Sequence, residues 1–248
     1  MDYRKRIYDS YHTVHWKHLG KGGTEDLRAH WPEYEAWWGP LLPEDKGVPI
    51  LELACGTGSF IAFLHDRGYR EARGVDASPE QVEAAKGLGV ARVEHAPGRA
   101  FLAAHPGAFD RVFMIDFFEH IPKEEVLPWL DDIFVALKPG GIFGLSTVNG
   151  QGLTAGRMVF ADITHEWAWT DISLPQVLRA AGFADPRCSP NYPTALWRGP
   201  RGLLRKLTFK AFEAAARVWL DAGSGSGLLR SRQIWTDGII AVARKPEK

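Results

Sequence analysis

Cysteine is nearly absent from this chain: two residues of 248, Cys55 and Cys188. They make neither a disulfide framework nor the paired spacing of a metal site. Such usage implies a reducing cytoplasm. An excess of either charge is also missing. Thirty acidic residues balance thirty basic ones, so no global field selects a nucleic acid or another polyanion. No apolar run is long enough to span a bilayer, and the opening Met1-Asp2-Tyr3-Arg4-Lys5-Arg6 has no apolar segment behind it, which argues against a secretory signal. The glycine turn around Gly56 lacks a third glycine at dinucleotide spacing and a following Lys-Ser or Lys-Thr. That disfavours a phosphate loop and weakens a nicotinamide-dependent oxidoreductase. No internal repeat is visible.

What is present suits one α/β domain with additions. Ile50, Leu51 and Leu53 read as the end of a buried parallel strand, with Glu52 at its carboxyl end. A small-residue turn, Ala54-Cys55-Gly56-Thr57-Gly58, leads into a helix from Ser59 to Asp66. Ligands of open α/β sheets bind beyond the carboxyl ends of the strands, where glycine allows close approach of the backbone. Asp76 closes a second strand, Ala72–Val75. It stands eighteen residues after Gly58, a usual separation for an acid that accepts from ribose hydroxyls. Its alternative role as a helix cap is already filled by Ser78 ahead of Pro79. Phe109–Asp116 reads as the fourth strand, followed by a helix over 124–137 and Lys138-Pro139-Gly140-Gly141 before a fifth strand, Ile142–Thr147. A third strand is expected at Val90–Glu94, a sixth at Ala184–Ser189, and the last over Gln233–Val242.

Together these motifs resemble the class I S-adenosylmethionine-dependent methyltransferases, strongly over residues 48–149 and more loosely over 164–183. The resemblance implies a Rossmann-like α/β fold: a seven-stranded, mostly parallel sheet with helices on both faces. Residues 1–45 would be an N-terminal helical cap. Residues 46–248 would be the methyltransferase domain, with a helical insertion at about 190–232 before the last strand. It implies S-adenosyl-L-methionine as cofactor, held by Glu52, Ala54, Cys55, Gly56, Gly58, Asp76, Ala77, Gln81, Arg99, Ala100, Ile115 and Asp116. Two positions depart from the family's pattern. Ala54 stands where Gly is usual. Arg99 follows Gly98 where an acid usually contacts adenine, and arginine cannot accept a hydrogen bond.

Asp116-Phe117-Phe118-Glu119-His120 brings two acids and an imidazole to the edge of a central strand. His120 reads as structural, as a general base for a hydroxyl acceptor, or as a metal ligand, in that order. Asp116, Glu119 and His120 are similar to the Glu-x-x-Glu-His of quinone-pathway O-methyltransferases, where it is linked to a divalent cation. A cation is not expected here. His165 is the second base candidate. His12, His15 and His18 recur at helical spacing and read as a polar face. Asn149 reads as a turn or substrate residue.

Tyr3–Tyr11 resembles methyltransferases of polysaccharide and glycosylated natural-product pathways, which implies a small acceptor with a sugar hydroxyl and no nucleic-acid partner. Amine or carboxyl methylation and a non-catalytic cofactor-binding scaffold stay open. Asp26–Leu42 carries an aromatic stripe of a capping helix. Ten tryptophans imply either an aromatic-lined pocket or ordinary packing. Leu203–Leu220 is basic and amphipathic, which suits its own domain, a homodimer, or peripheral membrane contact; a flexible linker follows from Gly223.

Overall fold

The computed structural model describes residues 3–8, 10, 13, 24–223 and 233–247. The histidine face His12, His15 and His18, Trp16, and the linker beyond Gly223 lie outside the described residues. The chain enters through helices α1 (Tyr3–Tyr8), α2 (Thr24–Ala29) and α3 (Trp31–Trp37). It then alternates β1 (Ile50–Leu53), α4 (Ser59–Asp66), β2 (Arg73–Asp76), α5 (Pro79–Gly87), β3 (Val93–His95), α6 (Gly98–Ala103), β4 (Phe109–Ile115), α7 (Lys123–Ala136) and β5 (Leu137–Val148). The second half carries α8 (Ala155–Val159), α9 (Ser173–Ala180), β6 (Ala184–Pro190), α10 (Gly199–Gly223) and β7 (Gly238–Arg244).

Seven strands form one sheet in the order β3-β2-β1-β4-β5-β7-β6. β7 is antiparallel to both neighbours, and the other pairs are parallel. All four residues of β1 are buried, as a parallel strand covered on both faces requires. Alternation then divides them. Leu51 and Leu53 join the core beneath α7 and α9. Ile50 joins the opposite core beside Phe60, Phe63, Tyr34 and Trp38. β1 and β4 lie side by side, with Leu53 opposite Met114. Their onward connections lead to opposite halves of the sheet, which opens a crevice beyond their carboxyl ends.

The single capping helix expected over 26–42 is broken in two places. Pro32 lies in the first turn of α3, and Pro40 lies in a 3-10 turn at Gly39–Leu41; proline has no N–H and clashes with the preceding helical turn. The cap is nevertheless docked. Trp38 is fully buried and meets Phe113 edge-on at 5.3 Å, while Tyr34 meets Phe60 at 5.1 Å.

The last strand begins at Gly238, later than the expected Gln233. The carbonyls of Ile234 and Thr236 go instead to the Asn149 side-chain amide, both at 2.7 Å. Asn149 is fully buried and acts as a clamp, not as a substrate residue. β5 begins at Leu137, so Lys138-Pro139-Gly140-Gly141 belongs to the strand, alongside an irregularity in the β4–β5 register. α6 and α8 were not expected from the sequence.

Candidate active site

The crevice is a cavity of about 540 Å³. Glu52, Ala54, Cys55 and Gly56 line it from the β1 turn, and Asp76, Ala77 and Gln81 from the end of β2 and the start of α5. Arg99, Ile115, Asp116 and His120 complete the expected set that reaches it. Three expected residues do not line it. Gly58 lies behind the turn as the N-cap of α4 at φ +76°, where a Cβ would sit 2.9 Å from Val90. Ala100 is exposed on α6. His165 stands behind His120, ring centroids 4.6 Å apart.

Asp76 works first on the protein itself. One carboxylate oxygen accepts the Gly56 N–H at 2.8 Å and the other accepts the Ser78 N–H at 2.8 Å. The glycine turn is thereby tied to the cap of α5, and each oxygen keeps a further lone pair for a ligand. Burial raises the Asp76 carboxyl, against the lowering effect of those two amides. Burial, then the charge of Asp76, holds the Glu52 carboxyl well above the usual carboxylate range. Among the described residues, Glu52 Oε2 and Gln81 Oε1 are buried with no partner.

These features fit S-adenosylmethionine: Asp76 has acceptors for a diol, Glu52 and Gln81 have unused buried oxygens, and Gly56 offers close approach at φ +53°. Arg99 does not contribute an acceptor. Its Nε donates to Asp132 at 2.6 Å across α6 and α7. Cys55 is buried, and burial followed by Glu52 pushes its thiol well up, so it is not an activated nucleophile.

His120 is buried at 8% exposure. Its Nδ1 is 2.8 Å from the Thr164 hydroxyl, and that hydroxyl donates to Asp162 Oδ1 at 2.7 Å. A hydroxyl has one proton. Since the carboxylate receives it, Nδ1 must be the donor in the other bond, so whenever the ring is neutral its lone pair is on Nε2. His165 is held likewise: its Nδ1 lies 2.9 Å from the Met158 carbonyl, which can only accept. The sequence offered both histidines as base candidates but gave Asp162 and Thr164 no role. The signal was Asp-x-Thr, a short motif whose side chains bond locally.

The cation set that the resemblance would allow, Asp116, Glu119 and His120, is not the one assembled. Asp116, at φ +50°, accepts the Ser146 hydroxyl at 2.7 Å. Glu119, His120 and His165 instead have ligand atoms within 4.8 Å of one another. Burial, then Asp116, lifts the Glu119 carboxyl to about 8, and Thr147 donates to it at 2.8 Å. A metal here would have to displace the Glu119 proton and compete with Thr147, Thr164 and the Met158 carbonyl for these groups.

Tyr8, Tyr34, Trp37, Phe117 and Trp129 add aromatic wall, beside smaller and polar residues such as Thr57, Ser59, Pro97 and Glu125. Trp31, Trp38 and Trp169 pack into or against the two cores, so the tryptophans divide between pocket and packing.

Residues 50–141 match the family described as "Methyltransferase domain". The chain is 32% identical over 153 residues to the ubiquinone biosynthesis O-methyltransferase of Psychrobacter cryohalolentis, covering 54% of this chain and 58% of that one. It thus spans less than two thirds of that relative. A SAM-dependent methyltransferase from Archaeoglobus fulgidus superposes with a TM-score of 0.60 at 16% identity, covering 97% of this chain and 99% of that one. The [4+2]-cyclase SpnF superposes with a TM-score of 0.62 at 19% identity, covering 98% and 95%. A fold alone does not choose a reaction. Strand order, the glycine turn with its paired acids, and the matched segment agree: residues 50–141 match a methyltransferase domain, and the chain has the fold of the class I S-adenosylmethionine-dependent methyltransferases.

Proposed function

We propose that this protein transfers the methyl group of S-adenosylmethionine to a hydroxyl oxygen of a small aromatic acceptor. The observation that carries the reading is the buried chain His120–Thr164–Asp162 at the cavity wall. When bound, the cofactor supplies a methyl group made electrophilic by a sulfonium. The protein's residues do the rest. Asp76 and Glu52 hold and orient, and Gln81 offers the acceptor that Arg99 lacks. His120 takes the hydroxyl proton on Nε2, and the imidazolium is steadied through Thr164 by Asp162. A hydroxyl is a poor nucleophile until its proton leaves, and a positioned base contributes roughly 100- to 10,000-fold. An amine acceptor would not need that base, which is why the relay favours oxygen.

Aromatic walls suit a flat ring by stacking and apolar contact. The curated relative from Psychrobacter is named for ubiquinone biosynthesis, which agrees with a phenolic acceptor. The sugar acceptor expected from residues 3–11 draws no support from the relatives and serves as the comparison arm. The test is methyl transfer from labelled S-adenosylmethionine to catechol and to a simple glycoside, with calorimetric titration of the cofactor. Turnover of the catechol is expected, and His120→Ala should lower it at least about 100-fold with cofactor affinity retained. Asp76→Asn should weaken cofactor binding roughly tenfold or more, as loss of a charged acceptor does. Absence of cofactor binding by the wild type would overturn the reading.

A further inference from the structure

The 25-residue helix α10 is inside out relative to an ordinary surface helix. Its inward side is narrow. Phe209 packs beside Tyr192 and Trp197 at 6.2 and 6.0 Å, Phe212 meets Trp235 at 5.8 Å, and the buried Glu213 accepts the Tyr192 hydroxyl at 3.1 Å. Phe209, Phe212 and Glu213 lie one helical turn apart, on one side. The opposite side, at the same 3.6-residue period, carries Leu203, Leu204, Leu207, Ala211, Ala214 and Val218. The leucines and valine are 54–70% exposed. No charged residue interrupts this stripe.

Cations flank it. Lys206, Lys210 and Arg217 stand along one border, and Arg201 and Arg205 lie beyond the other, toward Phe212, while Glu213 is turned inward. Arg201, Arg205 and Arg217 make no ion pair among the described residues. Trp219, 74% exposed, stands at the border, where indoles settle at a water–lipid boundary. No helix among the described residues is long and apolar enough to cross a membrane, so α10 would lie along a surface.

We infer that α10 docks the protein on a membrane surface bearing anionic headgroups, its apolar stripe entering the acyl boundary and its arginines facing phosphates. Charge decides between occupants. Pairing the stripe with that of a second copy would bring two sets of cationic flanks together, whereas anionic headgroups neutralise them. The helix is also joined to the cavity wall. Tyr192, against which Phe209 packs, accepts the Trp37 indole N–H through its carbonyl at 3.1 Å, and the following turn donates from Ala195 N to Glu33 at 2.7 Å. The inference stands independently of the hydroxyl acceptor.

The experiment is cosedimentation of the full chain with vesicles of phosphatidylcholine alone and of phosphatidylcholine mixed with phosphatidylglycerol. Binding to the mixed vesicles only, weakened by salt, is the expected result. Leu204→Glu with Leu207→Glu should reduce it by about tenfold or more. Arg201→Gln with Arg205→Gln and Arg217→Gln, which leaves the apolar stripe intact, should do the same. Both variants should keep the wild-type thermal midpoint and cofactor affinity. No vesicle binding by the wild type would overturn the inference, as would equal binding to both vesicle types. A wild-type dimer in sedimentation velocity that Leu207→Glu splits, without lipid binding, would assign the stripe to a second copy instead.

Discussion

Thr164→Val tests the base assignment at its most exposed point. Valine keeps the volume of a fully buried side chain and removes the hydroxyl that stands 2.8 Å from His120 and 2.7 Å from Asp162. Asp162 Oδ1 keeps the Thr164 backbone N–H at 2.8 Å, so the local turn survives. The group left stranded is the His120 Nδ1–H. A buried donor without an acceptor costs about 1–3 kcal/mol. For a domain of this size that lowers the thermal midpoint by about 2–4 °C per kcal/mol. The imidazole can escape the cost by moving its proton to Nε2 or turning over, and either takes the Nε2 lone pair away from the acceptor. With its orienting bond gone, kcat/KM should fall about 10- to 100-fold, less than for deletion of the imidazole itself. The assay is a pH–rate profile on the best acceptor beside a calorimetric titration of the cofactor. The rate should fall and its dependence on pH should shift, with cofactor affinity within about twofold. Thr164→Ser should restore both. Wild-type turnover by Thr164→Val at every pH would refute the relay. So would a loss that serine does not repair, since packing alone would then explain it.

Glu119→Gln addresses the buried acid beside the relay. Its carboxyl, ordinarily near 4.5, is raised to about 8 by burial and by Asp116. The folded protein therefore keeps a proton that the unfolded chain gives up. The resulting stability is fully present below about pH 4.5 and is lost as pH climbs to about 8, by up to about 1.4 kcal/mol per unit. Glutamine should flatten that slope in urea midpoints measured across this window; an unchanged slope would reassign it to other groups. Ala54, at φ +53°, occupies a backbone region that costs an L-residue about 1–2 kcal/mol. Part of that is offset because glycine frees the unfolded chain, so Ala54→Gly should stabilise by about 0.5–1 kcal/mol, and a lower thermal midpoint would contradict the strain.

The central sheet and the cofactor crevice were legible in the sequence because local signals there agree with the tertiary outcome. Buried parallel strands are short apolar runs, and α4 begins and ends where its sequence says, at Ser59 and Asp66. The acids Glu52, Asp76 and Asp116 end their strands, so order along the chain fixed their place at the cavity. The same logic failed where partners are distant. Trp129 lines the cavity because α7 packs over Gly98, where even a Cβ would fall 2.6 Å from its ring. Nothing near Trp129 in sequence announces that contact. Thr164 stands 44 residues from His120, and its role needs a three-dimensional encounter. Asp76 was readable as a ligand acceptor but not as the tie between two loops, since backbone donors leave no trace in the sequence.

Trp37 and Trp129 give the molecule an optical gauge of its own. Both indoles form part of the cavity lining, and indole emission follows the polarity around the ring. Any occupant that expels water from this wall must shift the light these two side chains emit. A titration followed by intrinsic fluorescence therefore needs no label, and Trp37→Phe and Trp129→Phe separate the signals. The two rings descend from different elements, α3 of the cap and α7 of the sheet layer. An occupant that quenches one and not the other reports, in colour, which side of the crevice it has entered.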